Sequence, residues 1–352
     1  MFTAKVGEKS KNLTFKFAVA IFTFLLVAIL GPGLLNLDSS QALAKKKNRG
    51  GCNTIAKNAR IACSAEVNDD YWIAIGNCNN ISDRGDRAEC KQEAWAERKD
   101  AKEVCADQKE ARTELCEDLE EVYYDPDLDP ADFVDLADIG VSETPNPYFP
   151  LVVGNIWVYQ GVTEEGTETI TVTVTNEIKE IEYPEDSGNI FICRVVRDVV
   201  ELDGEVIEDT DDWYAVATNG DIWYFGEISQ VFEDGELVEL EGSWKAGKEG
   251  AHPGILIQND PQPENIYRQE YWLAEAEDVA EVINRGEETV IVQDPPVTYD
   301  DDVLKTKDFT PIEPDVFEYK YYAPGVGLLK EEAFEDGVAT GEIVELISVT
   351  LN

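Results

Sequence analysis

Residues 199–240 read VVELDGEVIEDTDDWYAVATNGDIWYFGEISQVFEDGELVEL. Asp203-Gly204, Asn219-Gly220 and Asp234-Gly235 each stand between runs rich in Val, Ile, Tyr, Phe and Trp. Asp-Gly and Asn-Gly accept the positive φ of two-residue hairpin turns, while β-branched and aromatic residues suit a pleated surface. Three such turns predict four strands in an antiparallel meander. Two-residue turns place Val200 beside Ile207, Tyr214 beside Phe225, Val216 beside Trp223, and Phe232 beside Leu237. Apolar partners then meet repeatedly, as cross-strand stabilisation requires.

One expected pairing is unfavourable. Asp198 falls opposite Asp209, with Asp211 and Asp212 close behind, and like charges directly opposite destabilise a sheet. Three resolutions are open: Arg194 and Arg197 neutralise the acids, a calcium ion does so, or the register slips.

The period of two extends on both sides of the meander. Upstream, Ile170, Val172 and Val174 alternate with threonines. Downstream, strands are expected near 266–274, 279–292, 303–309, 315–323 and 326–350, with another turn at Asp336-Gly337. Residues 151–352 are therefore expected to form an all-β domain, a large antiparallel sheet curved as a meander or partly open barrel. Cys193, in the apolar run Ile190-Phe-Ile-Cys193, is expected to be a buried free thiol. Trp157, Trp213, Trp223, Trp244 and Trp272 fall in these strands. They either fill the core or line a groove for a glycan or lipid-like ligand.

Residues 123–150 change composition. Asp125-Pro-Asp127-Leu-Asp129-Pro130 and Thr144-Pro-Asn-Pro147 mark an acidic, proline-rich linker. Asp125, Asp127 and Asp129 have the alternate spacing of a calcium loop's first ligands. Pro130, however, takes the glycine position and Leu136 that of the closing Glu.

Six of the seven cysteines lie before this linker, at 52, 63, 78, 90, 105 and 116. Their separations of 11, 15, 12, 15 and 11 are palindromic, which is what partners at matching heights on an antiparallel hairpin must show. Eleven helical residues span about 16 Å, whereas bridged Cα atoms lie within about 7 Å, so no bridge forms within one arm. The spacing predicts Cys52–Cys116, Cys63–Cys105 and Cys78–Cys90 in a helical hairpin over 45–122. Its turn is Ser82-Asp83-Arg84-Gly85-Asp86. A metal cluster would need CxxC spacing or nearby histidines, which the segment lacks. The overall expectation is an α+β multidomain chain, with the stapled hairpin followed by the β domain. The hairpin serves either as a structural staple or as a docking element for another protein.

Residues 1–44 read as a signal peptide. Lys5, Lys9, Lys11 and Lys16 precede an apolar run from Phe17 to Leu30, and Ala42-Leu43-Ala44 is a small-x-small cleavage site. The run is short for a membrane span, so the mature chain is expected to lack one and to be periplasmic or extracellular. The whole chain carries a formal charge of -44; four lysines and two acids leave with the leader, making it -46. A nucleic-acid partner needs a basic face and is not expected.

The chain has one histidine, His252, and lacks GxSxG, HExxH, a phosphate-cradling glycine loop and CxxCH. Paired carboxylates could hydrolyse glycosides, but among 73 acids such a pair has little specificity.

Asn146-Pro-Tyr-Phe-Pro-Leu151 runs into Gly154-Asn-Ile-Trp157-Val-Tyr159. Asp209-Thr-Asp-Asp-Trp-Tyr214, Gly242-Ser-Trp-Lys-Ala-Gly247 and Lys320-Tyr-Tyr-Ala-Pro-Gly-Val-Gly327 follow. Over roughly 146–347 this set resembles the signatures of a group of bacterial exported β-rich proteins. The resemblance implies export and a β architecture. No activity is attached to the group, so it supplies no catalytic or ligand residue. The expected function is an exported non-enzymatic protein that binds a ligand or envelope component, with no cofactor. The alternatives are a calcium-binding surface protein and a hydrolase using paired carboxylates.

Overall fold

The computed structural model describes residues 50–352 except 164, 241 and 287; the expected signal peptide lies outside the described residues. Two long helices, α1 (Gly50–Asn79) and α2 (Arg84–Asp118), form the hairpin. Disulfides join Cys52 to Cys116, Cys63 to Cys105 and Cys78 to Cys90, with Cα separations of 6.0, 5.8 and 5.7 Å. Helices usually pack 8–10 Å apart, so bridges this short require small neighbours. Ala56, Ala59 and Ala94 supply them and are buried. Asp83 caps α2, accepting from the Gly85 and Asp86 amides.

Among the described residues seventeen strands follow: β1 (Ile156–Val162), β2 (Thr167–Glu182), β3 (Ile190–Leu202), β4 (Glu205–Val216), β5 (Ile222–Glu233), β6 (Glu236–Glu239), β7 (Trp244–Lys245), β8 (His252–Ile257), β9 (Ile266–Arg268), β10 (Glu270–Tyr271), β11 (Val279–Gly286), β12 (Val290–Val292), β13 (Val297–Tyr299), β14 (Val303–Phe309), β15 (Val316–Ala323), β16 (Gly327–Glu335) and β17 (Val338–Thr350). The main sheet is ordered β10-β8-β5-β4-β3-β2-β1-β17-β16-β15-β14-β11-β9. Its end members, β9 and β10, are consecutive in sequence, so the segment 266–271 joins both edges and nearly closes the sheet into a barrel. At this seam a side chain on Gly254 would lie 2.3 Å from the Gln269 backbone, so only glycine permits the approach. Between β1 and β2 the alternation read from sequence holds: Ile170, Val172 and Val174 point inward and are buried.

Two of the three meander registers differ from expectation. The third holds, with Phe232 opposite Leu237. In the first hairpin one extra residue bulges from β4. Val200 therefore faces Glu208 rather than Ile207, and Asp198 faces Thr210 rather than Asp209. In the second, Ala217 pairs with Asp221 around a three-residue loop closed by Gly220 at φ 88. Tyr214 consequently meets Tyr224 rather than Phe225, and Val216 meets Ile222 rather than Trp223.

Residues 123–150 lie along the barrel. Phe133 packs edge-on against Phe191 and Phe225, the Val134 amide donates to the Val216 carbonyl, and Tyr148 and Leu151 are fully buried. The hairpin is clamped to the barrel by ionic contacts. Arg112 forms a bidentate pair with Glu277, at 2.7 and 3.0 Å, with both side chains buried. Arg268 pairs with Glu121 at 2.9 Å, and Gln108 donates to the Ile312 carbonyl. Removing one partner of a desolvated pair strands the other charge. Arg112→Ala is expected to cost about 3–5 kcal/mol, read from the urea midpoint. Adding Glu277→Gln should recover part of that loss; a parental midpoint in the single variant contradicts the clamp.

Candidate functional site

A belt of acids runs among the apolar residues on the inward faces of the strands. Asp198 of β3, Asp212 of β4, Glu227 of β5, Glu270 of β10, Asp278, Asp308 of β14 and Glu331 of β16 are all buried. Lys320 of β15 is the ammonium among them, 3.4 Å from Glu331 and 3.5 Å from both Asp308 and Glu318. Thr306 donates to Asp308 at 2.6 Å. Carboxyl oxygens of Asp198, Glu227, Asp278 and Glu331 are buried without a hydrogen-bond partner among the described residues.

For Asp198, Asp212, Glu227, Glu270, Asp278 and Glu331 burial is the first force and disfavours the charged form; mutual repulsion adds to it. Together they raise Asp212 and Asp278 to about 7 and Glu331 to about 8. Asp198, Glu227 and Glu270 rise well above the carboxylate range for the same reasons. Burial opposes the Lys320 ammonium, but Glu331, Asp308 and Glu318 outweigh it and hold its pKa above the ordinary lysine value.

Geometry alone places a proton in the belt. The Tyr224 hydroxyl is 2.7 Å from Asp212 Oδ1 and 2.8 Å from Glu227 Oε2. A hydroxyl carries one proton, so it donates to one carboxylate and must accept from the other. One of the two carboxyls is therefore protonated. Asp212 and Glu227 are also directly opposite on β4 and β5, where two carboxylates would repel.

The acids singled out from sequence are separated. Asp198 and Asp212 point into the barrel, whereas Asp209 is outside, accepting a bidentate contact from Arg197. Asp211 faces Arg197 across the β3–β4 ladder. The slipped register and Arg197 together remove the expected clash; Arg194 is instead buried and donates to the Leu136 carbonyl. Asp129 caps a 3-10 turn at Pro130–Asp132, and Asp125 lies 4.0 Å from His252. Asp127 shares the same acidic segment. Among the described residues no group of three His, Cys, Asp or Glu side chains is placed to hold a metal.

The tryptophans are taken up in packing contacts. Trp157 is buried and donates to the Val326 carbonyl at 2.6 Å. Trp244 packs edge-on against Tyr224, Trp223 against Phe133, and Trp213 lies beneath the Lys179 ammonium. Trp272 is half-buried in the bridge to Ala276. His252 sits among Tyr124, Tyr183 and Tyr271, with Nδ1 2.7 Å from the Tyr183 hydroxyl. Burial lowers its pKa, so at neutral pH it is an uncharged packing group. Cys193 is buried and free.

Sequence reading missed the belt because an acid in a strand normally marks the solvent face. The available signal was parity. Glu331 shares its face with Leu329 and Ala333, and Asp308 shares its face with Leu304 and Thr306.

Carboxyls whose folded pKa exceeds the unfolded value near 4 bind protons more tightly in the barrel. Their contribution to stability is complete below about pH 4 and is lost as the pH rises through 7 and 8. Thermal melts should therefore show the barrel losing stability from pH 5 to pH 9. Glu227→Gln should flatten that slope, and a midpoint rising across this interval contradicts the assignment.

No protein-family model matches the chain, and no curated protein matches it. Two solved structures align with part of it. One is a "putative exported protein with YmcC-like fold" from Bacteroides fragilis, 12% identical with a TM-score of 0.34, covering 58% of this chain and 100% of that one. The other is a "putative lipoprotein" from Parabacteroides distasonis, 13% identical with a TM-score of 0.32, covering 59% of this chain and 100% of that one.

Proposed function

We propose that this chain is an exported, non-enzymatic binding protein of the cell envelope, with the barrel as scaffold and the stapled hairpin as its interaction arm. The observation that carries this reading is how the hairpin is held together. Its buried residues are Cys52, Ala56, Ala59 and Cys78 on one helix and Ala94, Cys105, Arg112, Leu115 and Cys116 on the other. Apart from Arg112 and Leu115 these side chains are small and bury little apolar surface, so the disulfides join the helices, and disulfides persist in oxidising compartments. The apolar run Phe17–Leu30 and the Ala42–Ala44 cleavage site supply a route there. None of the described helices is long and apolar enough to cross a membrane.

The non-enzymatic part of the reading is supported by the placement of the reactive groups. Asp212 and Glu227 share their proton deep in the barrel, with 2% and 1% exposure. The cavity next to the belt, between Glu168, Glu318 and Glu331, measures about 10 Å³, room for one water rather than a sugar.

Expression of the full chain in a bacterium with a periplasm tests the export reading. The protein should appear in the periplasmic fraction, begin at Lys45, and titrate a single thiol, Cys193, when denatured without reductant. A chain kept in the cytoplasm with all seven cysteines reduced contradicts it.

A further inference from the structure

The hairpin segregates its charges. On α2, Arg84, Lys91, Trp95, Arg98, Lys102 and Lys109 follow at steps of 7, 4, 3, 4 and 7, which stacks them on one flank. The acids Asp86, Glu93, Asp100, Asp107 and Glu114 recur at steps of 7. Each stands two residues, about 200° of helix, from the series 84, 91, 98, so they occupy the opposite side.

The adjoining flank of α1 continues the basic side. Arg98 donates to Asn68 Oδ1 from Nε and Nη2, at 3.0 and 2.6 Å, which fixes the two flanks together. Lys57, Arg60 and Ile61 of α1 and Lys109 of α2 line one cavity of about 520 Å³. Farther along, Trp72 and Trp95 are 64% and 57% exposed, and Ile61 is 58% exposed. The disulfides set residue 72 level with 96, so both tryptophans stand at one height.

This flank is turned off the barrel. Gln108, which contacts Ile312, precedes Lys109 by one residue, about 100° around the helix. Cations with exposed tryptophans along two helices of 30 and 35 residues make a flat amphipathic surface.

We infer that this flank of the hairpin docks on an anionic lipid bilayer, with cations on the phosphate headgroups and Trp72 and Trp95 at the interface. Charge complementarity selects the occupant, because the flank gathers cations on a chain whose net charge is -44. Exposed tryptophan selects a bilayer over a soluble polyanion, since indole rings settle at the headgroup level. Repulsion from the acidic barrel reaches only about 8 Å at 0.15 M salt and leaves the outer flank free to bind.

The test uses the purified, oxidised chain from Lys45 onward with two sets of vesicles, phosphatidylcholine alone and phosphatidylcholine mixed with phosphatidylglycerol, at about 0.15 M salt. It does not depend on export, so its failure is distinguishable from failure of the export reading. The chain should sediment with the phosphatidylglycerol vesicles and not with the others. The triple variant at three half-buried lysines, Lys91→Gln, Lys102→Gln, Lys109→Gln, should lose about a hundredfold in partitioning, roughly fivefold per cation. Trp72→Ser with Trp95→Ser should weaken binding while retaining the single free thiol and helical circular dichroism. Binding to neither vesicle, equal binding to both, or a triple variant that partitions like the parent overturns the inference. So does binding to a soluble sulfated polysaccharide without binding to vesicles.

Discussion

The structure depends on closing a sheet around acids that cannot all be charged at once. Unpaired charges of one sign in a low-dielectric interior repel strongly and lose their hydration. Lys320 answers part of this by contacting Asp308, Glu318 and Glu331 together. Protons answer the rest, as the single hydroxyl between Asp212 and Glu227 requires. The belt and the barrel therefore impose conditions on each other. The sheet can join β9 and β10 across its open edges only if the interior stays nearly neutral, and the interior keeps its protons only while the sheet excludes water.

The hairpin rests on a different balance. Its helices are drawn together by covalent bonds over cysteine and alanine, and its base is fixed by the buried Arg112–Glu277 pair. A desolvated ion pair contributes little net stability but tolerates few alternative geometries. It therefore sets orientation more than strength. The strap 123–150 acts similarly through apolar contacts, laying Phe133 on Phe191 and Phe225 and seating Tyr148 in the core.

Features governed by covalent reach or local turn chemistry were legible in the sequence. The palindromic cysteine spacing led directly to the three bridges, and Asp234-Gly235 led to the Phe232–Leu237 register. A β-bulge was not legible, because one extra residue in β4 leaves no mark in a pattern of alternating side chains. The Asn219-Gly220 pair was misleading for a related reason: Asn-Gly also serves a three-residue loop, which shifts Tyr214 to Tyr224. The belt escaped detection because its acids derive their meaning from the opposite wall of the barrel. Asp212 and Glu227 are 15 residues apart in sequence, and their partners Glu270 and Asp278 lie far beyond both. The tryptophans became packing groups once the barrel surrounded them, and the exposed pair Trp72 and Trp95 lies on the hairpin instead.

The central claim is that the folded barrel holds part of its interior carboxyls protonated at neutral pH, beginning with the pair Asp212 and Glu227. The direct measurement is the number of protons exchanged on unfolding at pH 7, obtained with a pH-stat in denaturant or from calorimetry in buffers of different ionisation enthalpy. Free carboxyls titrate near 4, so unfolding should release several protons per molecule from the belt. No net release, or net uptake, would show that the interior acids are charged in the folded state and that another cation balances them.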